Sequence, residues 1–498
     1  MVQVKIVRFK LEIIIAFVLV SLFFVSRLIN LTIIPIFVDE AIYLRWAQIA
    51  KNDASWRFIS LTDGKQPLFI WLAMVLMKIV SDPLVAGRLV SIGAGFASLV
   101  GIWLLTNELF GRKEAFWASF LYLVAPIYLL YDRMALVDSL LASFGIWSLY
   151  FGVVLVRHLR LDLALILGMI LGGGFLTKSP SIFYLYLLPL TLLLFDFRKK
   201  GKVGFLKWLG LFLVAYSQSQ IYFNIMRLSP WLHMIKAKDA DFVRSLSEVR
   251  REPFLFFLGN LKALREWTVG YLTFPLTFFS CFSFFLGLVK KSRPHIILAA
   301  YFLVPLFSMA LFGKVIYARY LVYCVFPLLV LIAVILPKFF SLFKNKIFLI
   351  ILFLLIFSYP LYFDWLMLTA PQRAPIPAND KGQYTDDWPA GYGVKEIVAY
   401  LKKEAQDKEI TVATEGTFGL MPYSLELYLV YNKNVEILGF WPVKEIPPQI
   451  LIKAKEKPTY FVFNETQKIP PEWPLQLIAE YPKGNKKTFM RLFKVISD

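Results

Sequence analysis

Apolar runs of roughly 20 residues, the length of α-helix that crosses a hydrocarbon core, recur along this chain from Leu11 to about Trp365. A segment in lipid must satisfy its own backbone polar groups, so such runs commit the chain to membrane helices. Composition agrees: 58% of the 498 residues are hydrophobic and 17% aromatic, and the mean hydropathy of +0.63 is far too high for a soluble globule of this size. From about Ala370 to Asp498 the runs shorten to strand length while Pro, Lys, Glu and Tyr accumulate. Two domains are expected, a membrane domain over 1–369 and a soluble one over 370–498.

The formal charge of +20 could suggest nucleic acid as a partner. The lysines and arginines, however, sit mostly in short loops between apolar runs, which is the positive-inside pattern of a membrane protein. Membrane lipids are the expected surroundings, and no nucleic acid is expected. The two cysteines, Cys281 and Cys324, lie inside apolar runs, so no disulfide framework is expected. The first run follows Lys5, Arg8 and Lys10 and ends in VSRLIN without a small-residue cleavage site, as a retained anchor helix would.

Those loops also thread the chain. With a cytoplasmic N-terminus, the basic clusters at 111–113, 157–160, 198–202 and 290–293, and the cluster of Lys338, Lys344 and Lys346, all fall inside. This holds only if Pro67–Val80, a segment of about 14 residues, does not cross. Such a length favours a re-entrant or interfacial helix. Spans are then expected near 11–28, 88–107, 115–131, 139–157, 162–179, 180–196, 203–224, 267–289, 295–312, 320–336 and 347–366. The expected fold is a polytopic α-helical membrane protein of about 11 transmembrane helices with a small C-terminal extracytoplasmic α/β domain. The same threading places Asp39, Glu40, Lys65, Arg88, Arg133, Asp138, Lys178, Lys314, Tyr317 and Arg319 at or near outer helix ends.

Chemistry can be sought among these residues. In DEAIYLRWAQIAK, Asp39 opens a helical pattern, where a carboxylate is commonly a cap. The adjacent Glu40 adds a second desolvation cost with no evident capping need, and a carboxylate at a membrane boundary can serve as a general base toward a hydroxyl. Lys65 in GKQPLFIWL is a snorkelling lysine or a ligand for a lipid-linked phosphate. YDRMALVDS supplies Asp132, Arg133 and Asp138, FLTKSP supplies Lys178, and GKVIYARYLVYCVFP supplies Lys314, Tyr317, Arg319 and Tyr320. Singly these are ordinary interface residues; their placement on one side is the informative part. His158, His233 and His295 are scattered, so no metal site is expected. The GGG at 172–174 reads as close helix packing rather than a phosphate loop.

Six stretches in order, DEAIYLRWA, GKQPLFIWL, GRLVSIGAG, RMALVDSLL, GGGFLTKSP and KVIYARYLVYCVFP, resemble the landmarks of the protein O-mannosyltransferase and aminoarabinose transferase superfamily. These are membrane glycosyltransferases of the C-type fold that take a sugar from a polyprenyl phosphate on the outer face. The resemblance covers about 11–366. It implies a catalytic group of Asp39, Glu40 and Asp138, with Asp39 as the base of an inverting displacement. It implies a donor phosphate and lipid group of Lys65, Arg88, Lys178, Lys314, Tyr317 and Arg319. Two positions depart from the family pattern: Gln66 separates Lys65 from Pro67, and Ser179 stands where a glycine is usual. The implied partners are a polyprenyl-phosphate-linked sugar and a protein, lipid or glycan acceptor. No cofactor is expected, with a loosely bound divalent cation left open.

The tail reads as α/β, with a helix in VKEIVAYLKKEA and strands in EITVATEG, NVEILGF, PTYFVFN, LQLIAEY and TFMRLFKVI. Asp386, Asp387 and Glu415 read as solvated loop acids. The rival from another class is a transporter or flippase of lipid-linked sugars, which predicts repeats and acids at mid-helix depth. The acids cluster at outer helix ends instead. An arabinose or oligosaccharide transferase of the same fold fits the residues as well as a mannosyltransferase does.

Overall fold

The computed structural model describes the backbone over 2–496 and side chains from Glu12 to Ile496; Lys5, Arg8 and Lys10 fall outside the described side chains. The chain divides into two compact units. One comprises Met1–Ile29, Phe58–Phe69 and Arg88–Leu368; the other comprises Asn30–Arg57, Ile70–Gly87 and Thr369–Asp498.

The first unit is helical. Among the described residues, Pro83–Leu109, Val137–His158, Arg293–Phe312, Ala318–Phe340 and Lys346–Thr369 are long and apolar enough to cross a membrane. Two further apolar stretches are bent. Arg112–Leu123 and Pro126–Asp132 meet at 61°, and Phe257–Leu272 and Phe274–Val289 meet at 110°. The expected single span over 267–289 is therefore corrected: Thr273 sits at φ 70° between two helices, and Pro275 behind it offers no amide hydrogen to carry the ladder across. Leu161–Phe175 and Ser179–Leu194 are shorter apolar segments, the latter a mixture of α and 3-10 turns. Leu68–Leu76, with nine residues, is too short to span, in keeping with the reading of Pro67–Val80.

Helix ends inside an apolar bundle leave carbonyls that no water can satisfy. Two buried arginines meet that need. Arg27 Nη1 donates to Leu123 O at 2.9 Å, at the end of Arg112–Leu123. Arg133 Nη1 donates to Ser26 O at 2.8 Å and Ile29 O at 2.7 Å, at the end of Val2–Leu28. Asp132 answers Arg27 at 3.5 Å, both side chains being fully buried. It also accepts from Ser139 Oγ at 2.8 Å and from the Tyr122 hydroxyl. Gly95 makes room for it, since a Cβ there would lie 2.5 Å from the Asp132 carboxyl carbon.

In the second unit a five-stranded sheet forms from β1 (Ile410–Glu415), β2 (Val435–Phe440), β3 (Thr459–Phe463), β4 (Leu475–Pro482) and β5 (Phe489–Val495), ordered β2-β1-β3-β5-β4. β1 is parallel to β2 and β3, and β5 is antiparallel to β3 and β4. Parallel neighbours require crossovers, and the helices Leu420–Leu429 and Pro448–Glu456 supply them. Ala413, Phe461, Phe463 and Phe493 pack with Ile446 and Ile450 as the core on one face. All five strands and the helix Val394–Glu404 coincide with the segments read from sequence.

Glu415 is not a solvated loop acid. It is 5% exposed at the end of β1, where it accepts from the backbone of Asn464, Glu465 and Thr466 at 3.0, 2.7 and 3.0 Å and from the Thr466 hydroxyl. Nearby Lys483 is 1% exposed and donates to Asp387 O and Asn464 Oδ1 at 3.0 and 2.8 Å. Burial pushes its ammonium down from 10.5 to about 7, against the pull of Asp387, Glu415 and Glu465. The unfolded chain then holds the proton more tightly than the folded one between pH 7 and 10.5, so stability rises with pH across that window. Thermal unfolding of the full chain followed by tryptophan fluorescence should show this tail stabilising by a few kcal/mol from pH 7 to 10. Lys483→Met should flatten the slope; an unchanged slope would show that another group carries it.

Candidate active site

In the second unit, Asp39 and Glu40 open the helix Val38–Asn52. Two bonds pin its start: Val38 N donates to Pro389 O at 3.0 Å and Gly391 N to Ile36 O at 2.9 Å. Only glycine fits at 391, because a Cβ would meet Ile36 O at 2.5 Å. The helix packs along Leu420–Leu429 through Arg45 to Glu426 at 2.7 Å and Gln48 Nε2 to Leu427 O at 3.2 Å. Glu40 is fully buried and accepts from Phe37 N at 2.9 Å. The expectation that it has no capping duty is thus corrected: the third residue of the helix reaches back to the amide before the first turn. Asp39, half-buried, stands at the helix N-terminus, where the backbone dipole favours negative charge.

The cations are in the first unit. The Lys178 ammonium is held by Asp138 Oδ1 at 2.7 Å and lies 4.5 Å from the centre of the Tyr320 ring. The Arg319 guanidinium lies 4.9 Å from the Tyr317 ring and 6.0 Å from the Tyr320 ring. Lys178, Asp138, Tyr317, Arg319 and Tyr320 thus form one cluster from three separate stretches of sequence. Two of the three glycines before Lys178 allow the close packing expected of them: a Cβ at Gly172 would strike Tyr222 at 2.6 Å and one at Gly173 would strike Phe144 at 2.5 Å.

The remaining expected residues have other partners. Lys65 is 3.5 Å from Asp63. Lys314 meets Glu248 at 3.3 Å and donates to Ala240 O at 3.0 Å, joining the long loop to the strand-like bridge between Val243 and Gly313. Backbone and hydroxyl donation from Ser245, and then Lys314, pull the exposed Glu248 carboxyl down to about 2. Arg88 is fully buried and near enough to Arg133 for the two charges to repel. Sequence reasoning did not find the Arg27–Asp132 pair, nor Asp239, which accepts from Ser179 Oγ at 3.1 Å. No sequence signal links positions 60 residues or more apart. Among the described residues no group of three or more His, Cys, Asp or Glu is placed to hold a metal ion.

Residues 64–221 match the family model described as dolichyl-phosphate-mannose-protein mannosyltransferase. No curated protein matches the chain by sequence. Among solved structures, the fold is similar to that of ArnT from Cupriavidus metallidurans in the apo state, with TM-score 0.62 and 13% identity over 99% of each chain. The same protein bound to undecaprenyl phosphate gives TM-score 0.60 and 13% identity over 98% of each. The apo oligosaccharyltransferase of Archaeoglobus fulgidus gives TM-score 0.51 and 12% identity over 91% of this chain and 69% of that one. The family match thus covers residues 64–221, while over nearly its whole length the chain shares the fold of ArnT.

Proposed function

We propose that the chain transfers a sugar from a polyprenyl phosphate to an acceptor hydroxyl at the outer face of the membrane, with inversion. Asp39 takes the hydroxyl proton as the acceptor oxygen bonds to the anomeric carbon. The bond from that carbon to the phosphate oxygen breaks, and its electron pair leaves with the polyprenyl phosphate. Lys65, Lys178 and Arg319 stabilise the charge gathering on the phosphate, with Arg88, Lys314 and Tyr317 in supporting contacts to donor or lipid. Asp138 acts through Lys178, and Glu40 through the helix that carries Asp39. The proposal extends to eleven spans, a cytoplasmic N-terminus, and an extracytoplasmic domain over 370–498 that either recognises the acceptor or covers the site.

The observation that carries this reading is the cation cluster: Lys178 and Arg319 share the Tyr320 ring, an arrangement suited to an anionic phosphate. The likeness to a structure bound to undecaprenyl phosphate supports a polyprenyl phosphate as donor. The test offers purified protein in lipid a panel of polyprenyl-phosphate sugars, mannose and pentose among them, with peptide, lipid and glycan acceptors. One donor should be consumed with sugar appearing on one acceptor class. Movement of lipid-linked sugars across the bilayer without transfer would instead establish a flippase.

Lys178→Met is expected to weaken undecaprenyl phosphate binding about 10- to 100-fold, the worth of one charge-assisted hydrogen bond. If Lys178 serves only as counter-ion to Asp138, the variant will lose stability and keep its affinity.

A further inference from the structure

The two departures from the family pattern, Gln66 and Ser179, touch each other. Gln66 Nε2 donates to Ser179 Oγ at 2.9 Å, and Ser179 Oγ in turn donates to Asp239, with its oxygens at 3.1 and 3.3 Å. A glycine at 179 could make neither bond. Each departing residue adjoins one of the two lysines assigned to the phosphate, Gln66 following Lys65 and Ser179 following Lys178. A backbone bond, Leu68 N to Leu176 O at 2.9 Å, joins the same two stretches.

The third member, Asp239, lies on the helix His233–Phe242, which is itself seated on the Lys65 turn. Gly64 adopts φ +67°, and a Cβ there would lie 2.4 Å from Met234 O and 2.6 Å from Lys238 Cβ, so glycine is required on both counts. Lys238 pairs with Asp63 at 2.9 Å, and Asp63 also lies 3.5 Å from Lys65. Three segments far apart in sequence therefore meet at one serine hydroxyl, which accepts from one neighbour and donates to the other. Burial raises the Asp239 carboxyl above its ordinary range, with the Ser179 bond acting in the opposite direction, as expected of an acid enclosed by the contact.

We infer that Gln66, Ser179 and Asp239 form a positioning bridge that holds Lys65 and Lys178 at a set spacing for the donor phosphate. This rests on the reading of those two lysines as phosphate ligands. None of the three bridge residues need touch the substrate. Each acts through a neighbouring lysine, and small displacements of a positioning group are costly where geometry decides binding and rate.

The experiment measures undecaprenyl phosphate binding to the full chain in lipid nanodiscs, beside its thermal unfolding. Ser179→Ala should weaken binding about tenfold, since the loss acts through both lysines. Asp239→Asn keeps an oxygen for the serine hydroxyl and should bind within about twofold of wild type. In a Lys65→Ala background the Ser179→Ala effect should shrink to about threefold or less, because the two changes share one target. Ser179→Ala binding like wild type, or the same tenfold loss with Lys65 absent, overturns the bridge. A folded wild type that binds no undecaprenyl phosphate overturns the donor reading itself, and the bridge with it.

Discussion

Asp39→Asn should lower the rate of sugar transfer about 10²- to 10⁴-fold, the usual worth of a positioned general base, while undecaprenyl phosphate binds as before. Asparagine keeps the size of the side chain and its ability to accept one hydrogen bond, but it cannot take a proton at neutral pH. The helix start should survive the change, because Glu40 caps Phe37 N and the segment 389–391 holds the preceding backbone. Steady-state transfer and equilibrium binding, measured on one preparation, separate the two effects. Transfer within threefold of wild type would assign the proton to another group. Glu40→Gln makes the contrast: its loss should fall on folding, since an amide is a weaker partner than a carboxylate for the buried Phe37 amide.

The second large effect concerns stability. Asp132→Ala leaves the fully buried Arg27 without the carboxylate 3.5 Å away and should cost about 3–5 kcal/mol, as breaking a buried pair does. Removing both charges is expected to be milder. In Arg27→Met/Asp132→Leu no charge is stranded in the apolar interior, although Leu123 O loses its donor. Reversible unfolding of Arg27→Met, Asp132→Leu and the double variant in mixed micelles closes the cycle. A double variant as damaged as the sum of the singles would show that Arg27 matters only as a cap and that its pairing with Asp132 contributes nothing.

Much of the fold was legible because it rests on local pattern. The apolar runs required membrane helices, and period-two stretches marked five strands at the right places. The break at Thr273 was not legible, since a run such as WTVGYLTFPLTFF is equally apolar on both sides of the kink, and hydropathy carries no record of a reversed φ. Glu415 was misread for a related reason. An acid followed by glycine looks like a loop, and only the neighbouring strand β3 reveals that three amides converge on it. Of the site, the motif residues were visible one by one, and the resemblance supplied their roles. The partners that hold them were not visible: Tyr320 beneath Lys178, Glu248 against Lys314, and Asp239 beyond Ser179.

By itself the sequence determined the class of solvent, the apolar helical character of the chain before the tail, and the strands of the sheet domain. These follow from transfer free energies and hydrogen-bond satisfaction, which act on every segment regardless of its neighbours. Tertiary structure alone decided which charges are paired, which acid caps, and which serine joins two lysine loops. Those outcomes depend on distances of about 3 Å between residues tens to hundreds of positions apart, and a hydrogen bond or buried ion pair exists only once packing has set that distance.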